Sequence, residues 1–144
     1  MTPIKGLAVV CAAILVRAAA QESKPEATVW DGVYSDAQAS RGEAAYTKNC
    51  ASCHGGKLEG LGQTPPLAGE DFLSRWDGMT LGDLFDQIQT TMPADRPGQL
   101  APSGNAAILA YILKSNHYPA GSEELPSGGE KLQRIRIAAA RPPR

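Results

Sequence analysis

The pentapeptide Cys50-Ala51-Ser52-Cys53-His54 constrains this chain more than any other feature of its sequence. Two thiols and one imidazole lie within it, although the whole chain of 144 residues has only 3 cysteines and 2 histidines. A structural zinc site usually needs four nitrogen or sulfur ligands, and a thioredoxin-like redox pair needs a βαβ context that the sequence does not show. A disulfide across so short a loop would stabilise the fold little through chain entropy. These three alternatives stay open, but each fits the pentapeptide poorly.

The Cys-x-x-Cys-His spacing instead predicts covalent attachment of a c-type haem. Two thiols separated by two residues at a helix end can each form a thioether with one vinyl group on the same edge of a porphyrin. The imidazole of His54 is then close enough to bind the iron along its axis. We therefore expect Cys50 and Cys53 to carry one haem c and His54 to bind its iron.

The first twenty residues have the pattern of a secretory signal peptide. Lys5 gives a short basic start, an apolar run covers residues 6–16, and the segment closes on Ala18-Ala19-Ala20. The run is too short to span ~30 Å of hydrocarbon, so no stable membrane insertion is expected. Cleavage after the third alanine would remove Cys11 and place the mature protein in the periplasm.

Changes in composition divide the chain into four predicted segments. These are a signal peptide (1–20), a polar leader (21–34), a domain (35–118) and a C-terminal extension (119–144). Within the leader, Trp30 is a candidate for docking on the domain. Within the extension, apolar and charged residues alternate from Leu132 to Ile137, which predicts a short half-buried strand or extended strip.

The start of the domain is predicted to be helical. Ser35 and Gln38 have the spacing of a capping box, in which each side chain bonds the other residue's backbone N–H. Small and apolar residues then recur at helical spacing on one face as far as Cys50. A glycine- and proline-rich loop follows, with a short helical turn over residues 71–76.

Two further helices are predicted in the second half of the domain. Thr80 and Asp83 form a second candidate capping box, for an amphipathic helix that should end near Thr90. The third helix should be capped by Ser103 and run to about Ser115. Because it is apolar nearly all round, it should be buried on more than one side.

Between residues 35 and 118 the chain resembles a class I cytochrome c. In that family a glycine and an aromatic residue precede the first haem cysteine by two turns and one turn of helix, as Gly42 and Tyr46 do here. The family packs them against an aromatic-bearing C-terminal helix, which corresponds to the helix with Tyr111. Its loop after the histidine carries a Pro-x-Leu-x-Gly run, found here within residues 65–69. The resemblance implies an all-α fold with three main helices and long loops wrapped around one haem.

A narrower resemblance concerns the possible partners. Residues 91–98, Thr-Met-Pro-Ala-Asp-Arg-Pro-Gly, and residues 30–34, Trp-Asp-Gly-Val-Tyr, are similar to cytochrome c modules found with bacterial quinoprotein dehydrogenases. This similarity implies a periplasmic dehydrogenase, of the PQQ-dependent kind, as electron donor. Another cytochrome or a terminal oxidase would accept the electrons.

The resemblance also implies a sixth ligand for the iron. In this family a methionine follows an amphipathic helix, and Met92 has that position. A thioether is a neutral, soft donor that favours ferrous iron, so His/Met ligation raises the reduction potential relative to two imidazoles. Met79 and His117 are the alternative ligands; the first is interpreted as a packing residue and the second as a surface or helix-end cation.

Other side chains are expected to enclose and orient the haem. The Nδ1–H of His54 needs an acceptor, and the family uses a proline carbonyl that corresponds to Pro65. Trp76 is a candidate hydrogen-bond donor to a haem propionate. Because the haem is itself the centre of the core, the residues that line it are also core residues. The candidate haem-wall residues are Tyr46, Leu67, Leu84, Phe85, Ile88 and Leu109.

These features predict an electron-transfer protein rather than an enzyme. With both axial positions occupied by His54 and Met92, substrate cannot reach the iron, and electrons pass singly through the haem edge. One alternative is an electron-acceptor subunit of a quinoprotein dehydrogenase; another is a haem enzyme or gas sensor with an open sixth site. The net charge of −1 argues against a nucleic-acid partner.

Overall fold

Six α-helices make up most of the regular secondary structure in the structure, a computed structural model that describes residues 27–143. The predicted signal peptide with Cys11, and residues 21–26 of the leader, lie outside the described residues. The three predicted main helices are confirmed, and a short sheet joins the two ends of the described chain. In chain order the elements are β1 (Ala27–Thr28), a 3-10 helix (Val29–Asp31), α1 (Asp36–Asn49), α2 (Ala51–His54), α3 (Glu70–Trp76), α4 (Leu81–Thr91), α5 (Pro102–Ser115), α6 (Glu130–Gln133) and β2 (Ile135–Arg136).

The packing of α1 against α5 is the main helix–helix interface. The two backbones approach so closely that a Cβ on Gly42 would overlap the carbonyl oxygen of Ala107. One turn further on, the ring centroids of Tyr46 and Tyr111 lie 5.4 Å apart. The glycine and the aromatic pair therefore set where these helices cross.

The amphipathic helix α4 begins as its sequence predicts. The Thr80 hydroxyl accepts a hydrogen bond from the Asp83 N–H at 3.1 Å, and the Asp83 carboxylate accepts one from the Thr80 N–H at 2.9 Å. The apolar stripe faces inward, and the helix ends at Thr91, one residue beyond the prediction. The buried residues of this helix are Leu81, Gly82, Leu84, Phe85 and Ile88.

The predicted cap of α5 was wrong. The helix begins at Pro102, with Ala101 as its N-cap and no side-chain capping bond, so Ser103 lies inside the first turn. Proline suits this first position because its φ is already helical and it has no N–H that needs a partner. As predicted, α5 is buried on several sides and ends at Ser115.

The N-terminal leader and the C-terminal extension pack against each other. Strand β1 pairs in parallel with β2, and the Trp30 Nε1–H donates to the Ala138 carbonyl at 2.9 Å. The Trp30 ring also contacts Tyr118 edge to face, at a centroid distance of 4.9 Å. The extension buries three apolar side chains in the core, namely Leu125, Leu132 and Ile137.

Two local predictions near the extension needed correction. Leu132 belongs to the short helix α6, so the strand predicted over residues 132–137 is reduced to Ile135–Arg136. Ser35 caps α1, but Gln38 does not return the bond; its amide pairs instead with the backbone N–H and carbonyl of Leu125. At Gln38 a contact distant in sequence replaced the local one. No helix within residues 27–143 is long and apolar enough to cross a membrane.

Candidate functional site

The Cys-x-x-Cys-His pentapeptide lies where α1 gives way to α2. Cys50 ends the first helix, and its carbonyl accepts hydrogen bonds from the N–H groups of Cys53 at 3.1 Å and His54 at 2.9 Å. Cys50 is half-buried, Cys53 is exposed, and His54 is only 8% exposed. Both cysteines are free thiols, so the two are not joined as a disulfide.

One nitrogen of the His54 ring is hydrogen-bonded to a backbone carbonyl. Its Nδ1 lies 2.9 Å from the carbonyl oxygen of Pro65, the residue that the sequence resemblance pointed to. A carbonyl oxygen can only accept a hydrogen bond, so Nδ1 carries the proton and donates. The lone pair of the neutral imidazole is therefore on Nε2, which is the form that binds a metal.

Backbone hydrogen bonds close the loop after His54 into a compact shape. The His54 carbonyl accepts from the Gly60 N–H at 2.7 Å, and the Leu58 carbonyl accepts from the Leu67 N–H at 2.8 Å. The buried Tyr46 hydroxyl donates to the Gly55 carbonyl at 2.7 Å, and burial raises the pKa of this phenol. Tyr46 thus ties helix α1 to the first residue after the histidine.

The carboxylate of Glu59 stabilises the turn that follows the histidine. It accepts a hydrogen bond from the Lys57 N–H at 2.7 Å. Bonds from the backbone N–H groups of Glu59 itself and of Lys57 lower the pKa of this carboxyl. Gly55 has φ +82, a left-handed conformation that glycine adopts without the steric strain of a Cβ.

Asn116 lies just beyond the predicted end of the third helix, and the sequence indicated no role for it. Its side chain is buried, accepts from the Gly69 N–H at 3.0 Å and donates to the Leu67 carbonyl at 3.0 Å. It therefore holds the far end of the loop that includes Pro65. An asparagine at a helix end is an ordinary local signal, and nothing in the neighbouring sequence indicated this distant loop.

Met92 lies directly after α4, at the start of a second long loop. Its N–H donates to the Ile88 carbonyl at 3.1 Å, and its side chain is half-buried against the core. Gln89 crosses this loop, because it donates to the Leu100 carbonyl at 3.4 Å and accepts from the Asn105 amide at 2.8 Å. No local pattern in the sequence indicated a role for either amide side chain.

The remaining predicted site residues have different surroundings. Leu67 and Trp76 are half-buried and pack on the core, and the Trp76 ring lies 6.4 Å from that of Phe72. Phe85 is buried beneath the C-terminal extension, where its ring would lie 3.3 Å from a Cβ on Gly128. The side chain predicted as haem wall at position 85 therefore contacts the extension. The other candidates, Leu84, Ile88 and Leu109, are buried in the core.

The two alternative ligands lie at exposed positions. Met79 precedes α4 and is 40% exposed. His117 follows α5 and is also exposed, with a left-handed φ of 63°. Neither matches the half-buried setting of Met92.

The donor set fits a c-type haem better than the other chemistries considered for the pentapeptide. Within residues 27–143, no group of three or more His, Cys, Asp and Glu side chains could hold a metal ion, so the ligand set of a structural zinc site is not assembled there. Burial, together with the neighbouring Cys53, raises the pKa of the Cys50 thiol to about 11, which disfavours the thiolate of a redox pair. Two free thiols and an imidazole oriented by Pro65 meet the requirements of covalent haem attachment.

The structure is similar to the crystal structure of the sulfane dehydrogenase SoxCD from Paracoccus pantotrophus. The TM-score is 0.52, with 26% sequence identity over 74% of this chain. The chain spans 61% of the length of the SoxCD chain that it matches. A search of curated proteins found no match.

A family-level comparison agrees with this structural similarity. Residues 37–112 match the family described as cytochrome c oxidase, cbb3-type, subunit III. The matched region runs from the first turn of α1 to within α5, and it includes the pentapeptide and Met92. This chain belongs to that family of cytochrome c domains, and its fold is that of a class I cytochrome c.

Proposed function

We propose that this protein is an exported monohaem cytochrome that carries single electrons between periplasmic redox partners. Cys50 and Cys53 would attach the haem through two thioethers, and His54 and Met92 would bind its iron. One observation carries the proposal: two free thiols lie beside a histidine whose Nδ1–H is already bonded to the Pro65 carbonyl. When bound, the haem supplies a reversible one-electron couple of its iron.

The residues around the histidine serve to hold its imidazole in one orientation. The Pro65 carbonyl keeps the proton on Nδ1 and makes Nε2 a stronger donor. The half-buried Met92 supplies a neutral sulfur, which favours the reduced metal and raises the reduction potential. The low exposure of His54 limits the access of water to the imidazole that would bind the iron.

The surface charge supports docking by apolar rather than strongly electrostatic contact. Residues 31–118 carry six basic and ten acidic side chains, so they present no ring of lysines. We expect association with the redox partner to change little between low and physiological salt. A steep fall of the association rate with added salt would contradict this expectation.

A second candidate function is the electron-acceptor subunit of a dehydrogenase. The similarity to sulfane dehydrogenase SoxCD favours this candidate, with a PQQ-dependent enzyme as one possible donor class. The chain would then form a stable complex instead of diffusing between partners. Purification of the native protein decides between them, because a large catalytic subunit would copurify with a fixed acceptor but not with a soluble carrier.

Spectroscopy of the matured protein tests haem attachment and ligation. The chain should be expressed with haem-maturation machinery and treated with alkaline pyridine, which should give a c-type haemochrome. Cys50→Ala and Cys53→Ala should each change the haemochrome spectrum, because one thioether is lost. A colourless product, or a haem that acidified organic solvent extracts completely, would overturn the proposal.

Mass measurement of the exported protein tests cleavage after Ala20.

Paired methionine variants test the sixth ligand. Met92→Ala should abolish the weak far-red band of the oxidised protein and allow rapid carbon monoxide binding to the reduced protein. Met79→Ala is the matched control, because this methionine is 40% exposed, and it should leave both properties unchanged. Rapid carbon monoxide binding by the wild-type protein would instead support an open-site haem enzyme or sensor.

A further inference from the structure

Asn116 connects the end of helix α5 to the loop that orients His54. It is the C-cap of the helix, and its N–H donates to the Ile112 carbonyl at 3.1 Å. Its side chain is 7% exposed. A buried amide needs partners for its donors and its acceptor, because an unpaired buried polar group destabilises the folded state.

The partners of this amide are all backbone groups. Its Oδ1 accepts from the Gly69 N–H at 3.0 Å, and its Nδ2 donates to the Leu67 carbonyl at 3.0 Å and to the Ile112 carbonyl at 2.9 Å. One side chain thus bonds its own helix and both ends of a three-residue loop segment. Every polar atom of the Asn116 amide is engaged.

The hydrogen bonds of the Asn116 side chain to Leu67 and Gly69 are here called the clamp. The clamp begins two residues after Pro65, whose carbonyl bonds His54. Leu67 is held on both sides, because its N–H donates to the Leu58 carbonyl at 2.8 Å while its carbonyl accepts from Asn116. The intervening Pro66 restricts the backbone, since its φ is set by the ring. The position of the Pro65 carbonyl therefore depends on where Leu67 is held.

We propose that Asn116 is a positioning residue that keeps the Pro65 carbonyl in hydrogen-bond contact with the Nδ1–H of His54. The proposal rests on the proposed function, in which His54 is an iron ligand. A hydrogen bond to the far ring nitrogen increases the donor strength of a ligating histidine. Weakening this bond makes the histidine a poorer donor, which disfavours ferric iron and raises the reduction potential.

Only a short side chain with both a donor and an acceptor can make these contacts. Aspartate keeps the acceptor for the Gly69 N–H but places a carboxylate against the carbonyls of Leu67 and Ile112. Leucine has a similar size, but it can neither accept from the Gly69 N–H nor donate to the Leu67 and Ile112 carbonyls. The two replacements therefore weaken the clamp to different degrees, which gives a graded test.

The test compares Asn116→Asp and Asn116→Leu with wild type in the reduced, haem-loaded protein. Nuclear magnetic resonance measures hydrogen exchange at the His54 Nδ1–H and the Gly69 N–H, and voltammetry measures the reduction potential. For Asn116→Leu we expect exchange at Nδ1–H to accelerate about fivefold, the factor for one ordinary hydrogen bond, together with a higher potential. Asn116→Asp should retain protection at Gly69 and still raise the potential.

Ser115→Ala is the matched control at the same helix end. Its hydroxyl donates only to the Tyr111 carbonyl within α5, at 2.9 Å. This variant should leave Nδ1–H exchange and the potential at their wild-type values. If both asparagine variants lower the melting temperature but leave these two quantities unchanged, Asn116 is only structural and the proposal is overturned.

Failure of the proposed function would look different. In that case the His54 ring protons of the reduced wild-type protein would show no ring-current shift from a bound haem, which would remove the basis of both proposals. A ring-current-shifted wild-type signal with unaltered asparagine variants would contradict the role of Asn116 alone.

Discussion

Buried amide side chains determine how the loops of this protein are attached to its helices. The Asn116 side chain makes three hydrogen bonds, two of them to one loop. Asn105 is fully buried and donates to Gln89, but its Oδ1 has no hydrogen-bond partner among the described residues. Asn105 lies within α5, and Asn116 caps the C-terminal end of the same helix. Both polar atoms of the Asn116 amide are hydrogen-bonded, whereas the Oδ1 of Asn105 is not. Replacing each of them should therefore change the free energy of unfolding by a different amount.

We expect Asn116→Leu to destabilise the protein by about 2 kcal/mol, because it leaves the Gly69 N–H and the Leu67 carbonyl without their side-chain partner. Asn105→Leu should change the free energy of unfolding by about 1 kcal/mol or less. It removes an unpaired acceptor, the Oδ1 of Asn105. The only group left without its partner is the Oε1 of the half-buried Gln89. Denaturant titration of both variants measures the difference, and equal costs would contradict it.

Burial of tyrosine side chains gives the protein a predicted sensitivity to alkali. Burial, reinforced by Asp36 near Tyr34 and by Asp77 near Tyr118, raises the pKa of both phenols above the ordinary 10.0. A raised folded-state pKa means that the stabilising contribution is complete below pH 10.0 and is lost as the pH rises through the folded-state value. We expect unfolding free energy to fall above this pH.

Absorbance of phenolate during an alkaline titration checks this expectation. Tyr34→Phe should remove part of the loss of stability above pH 10.0, because phenylalanine cannot ionise. The variant also loses the 2.6 Å hydrogen bond to the Tyr118 carbonyl, so comparison at neutral pH is the control. A pH dependence identical to wild type would show that Tyr34 does not contribute.

At the scale of elements, the contact between α1 and α5 depends on one glycine. Gly42 was noted in the sequence as part of a family pattern, and the structure shows its physical basis in the backbone of Ala107. Helix boundaries were predicted well where the signal was local, as at Thr80 and Asp83. They were predicted poorly at α5, where Pro102 begins the helix without a side-chain cap.

Gly42→Ala should destabilise the protein by about 3 kcal/mol, because the added methyl group overlaps a backbone carbonyl and the helices must separate. Gly104→Ala is the matched control within α5, since a Cβ there meets no atom within 4 Å. It should stabilise the protein by up to about 1 kcal/mol through helix propensity. Thermal unfolding of the two variants should therefore shift in opposite directions, and shifts of the same sign would contradict the packing argument.

At the scale of the whole molecule, the extension is part of the core and not a free tail. Leu132 is fully buried, and the leader and extension meet through β1 and β2 and through Trp30. The predicted division into leader, domain and extension stays a prediction, but contacts cross both boundaries.

Leu132→Ala should destabilise the protein by about 2–5 kcal/mol, the usual cost of emptying a buried leucine site. Leu61→Ala provides a matched control, because Leu61 is 50% exposed, and it should change stability by about 0.5 kcal/mol or less. Chemical denaturation of the haem-loaded proteins measures both values. A small effect at Leu132 would mean that the extension contributes little to the fold.

The haem-attachment motif and the main helices of this protein could be predicted from its sequence. The spacing of Cys50, Cys53 and His54 predicts haem attachment because that chemistry depends on near neighbours. The same is true of the caps and apolar stripes that predict helices. Three features depend on the packed structure: the loop that Asn116 holds, the contacts of Gln38 and Phe85 with the extension, and the burial of extension side chains in the core. These contacts join residues far apart in the chain, so no local pattern in the sequence specifies them.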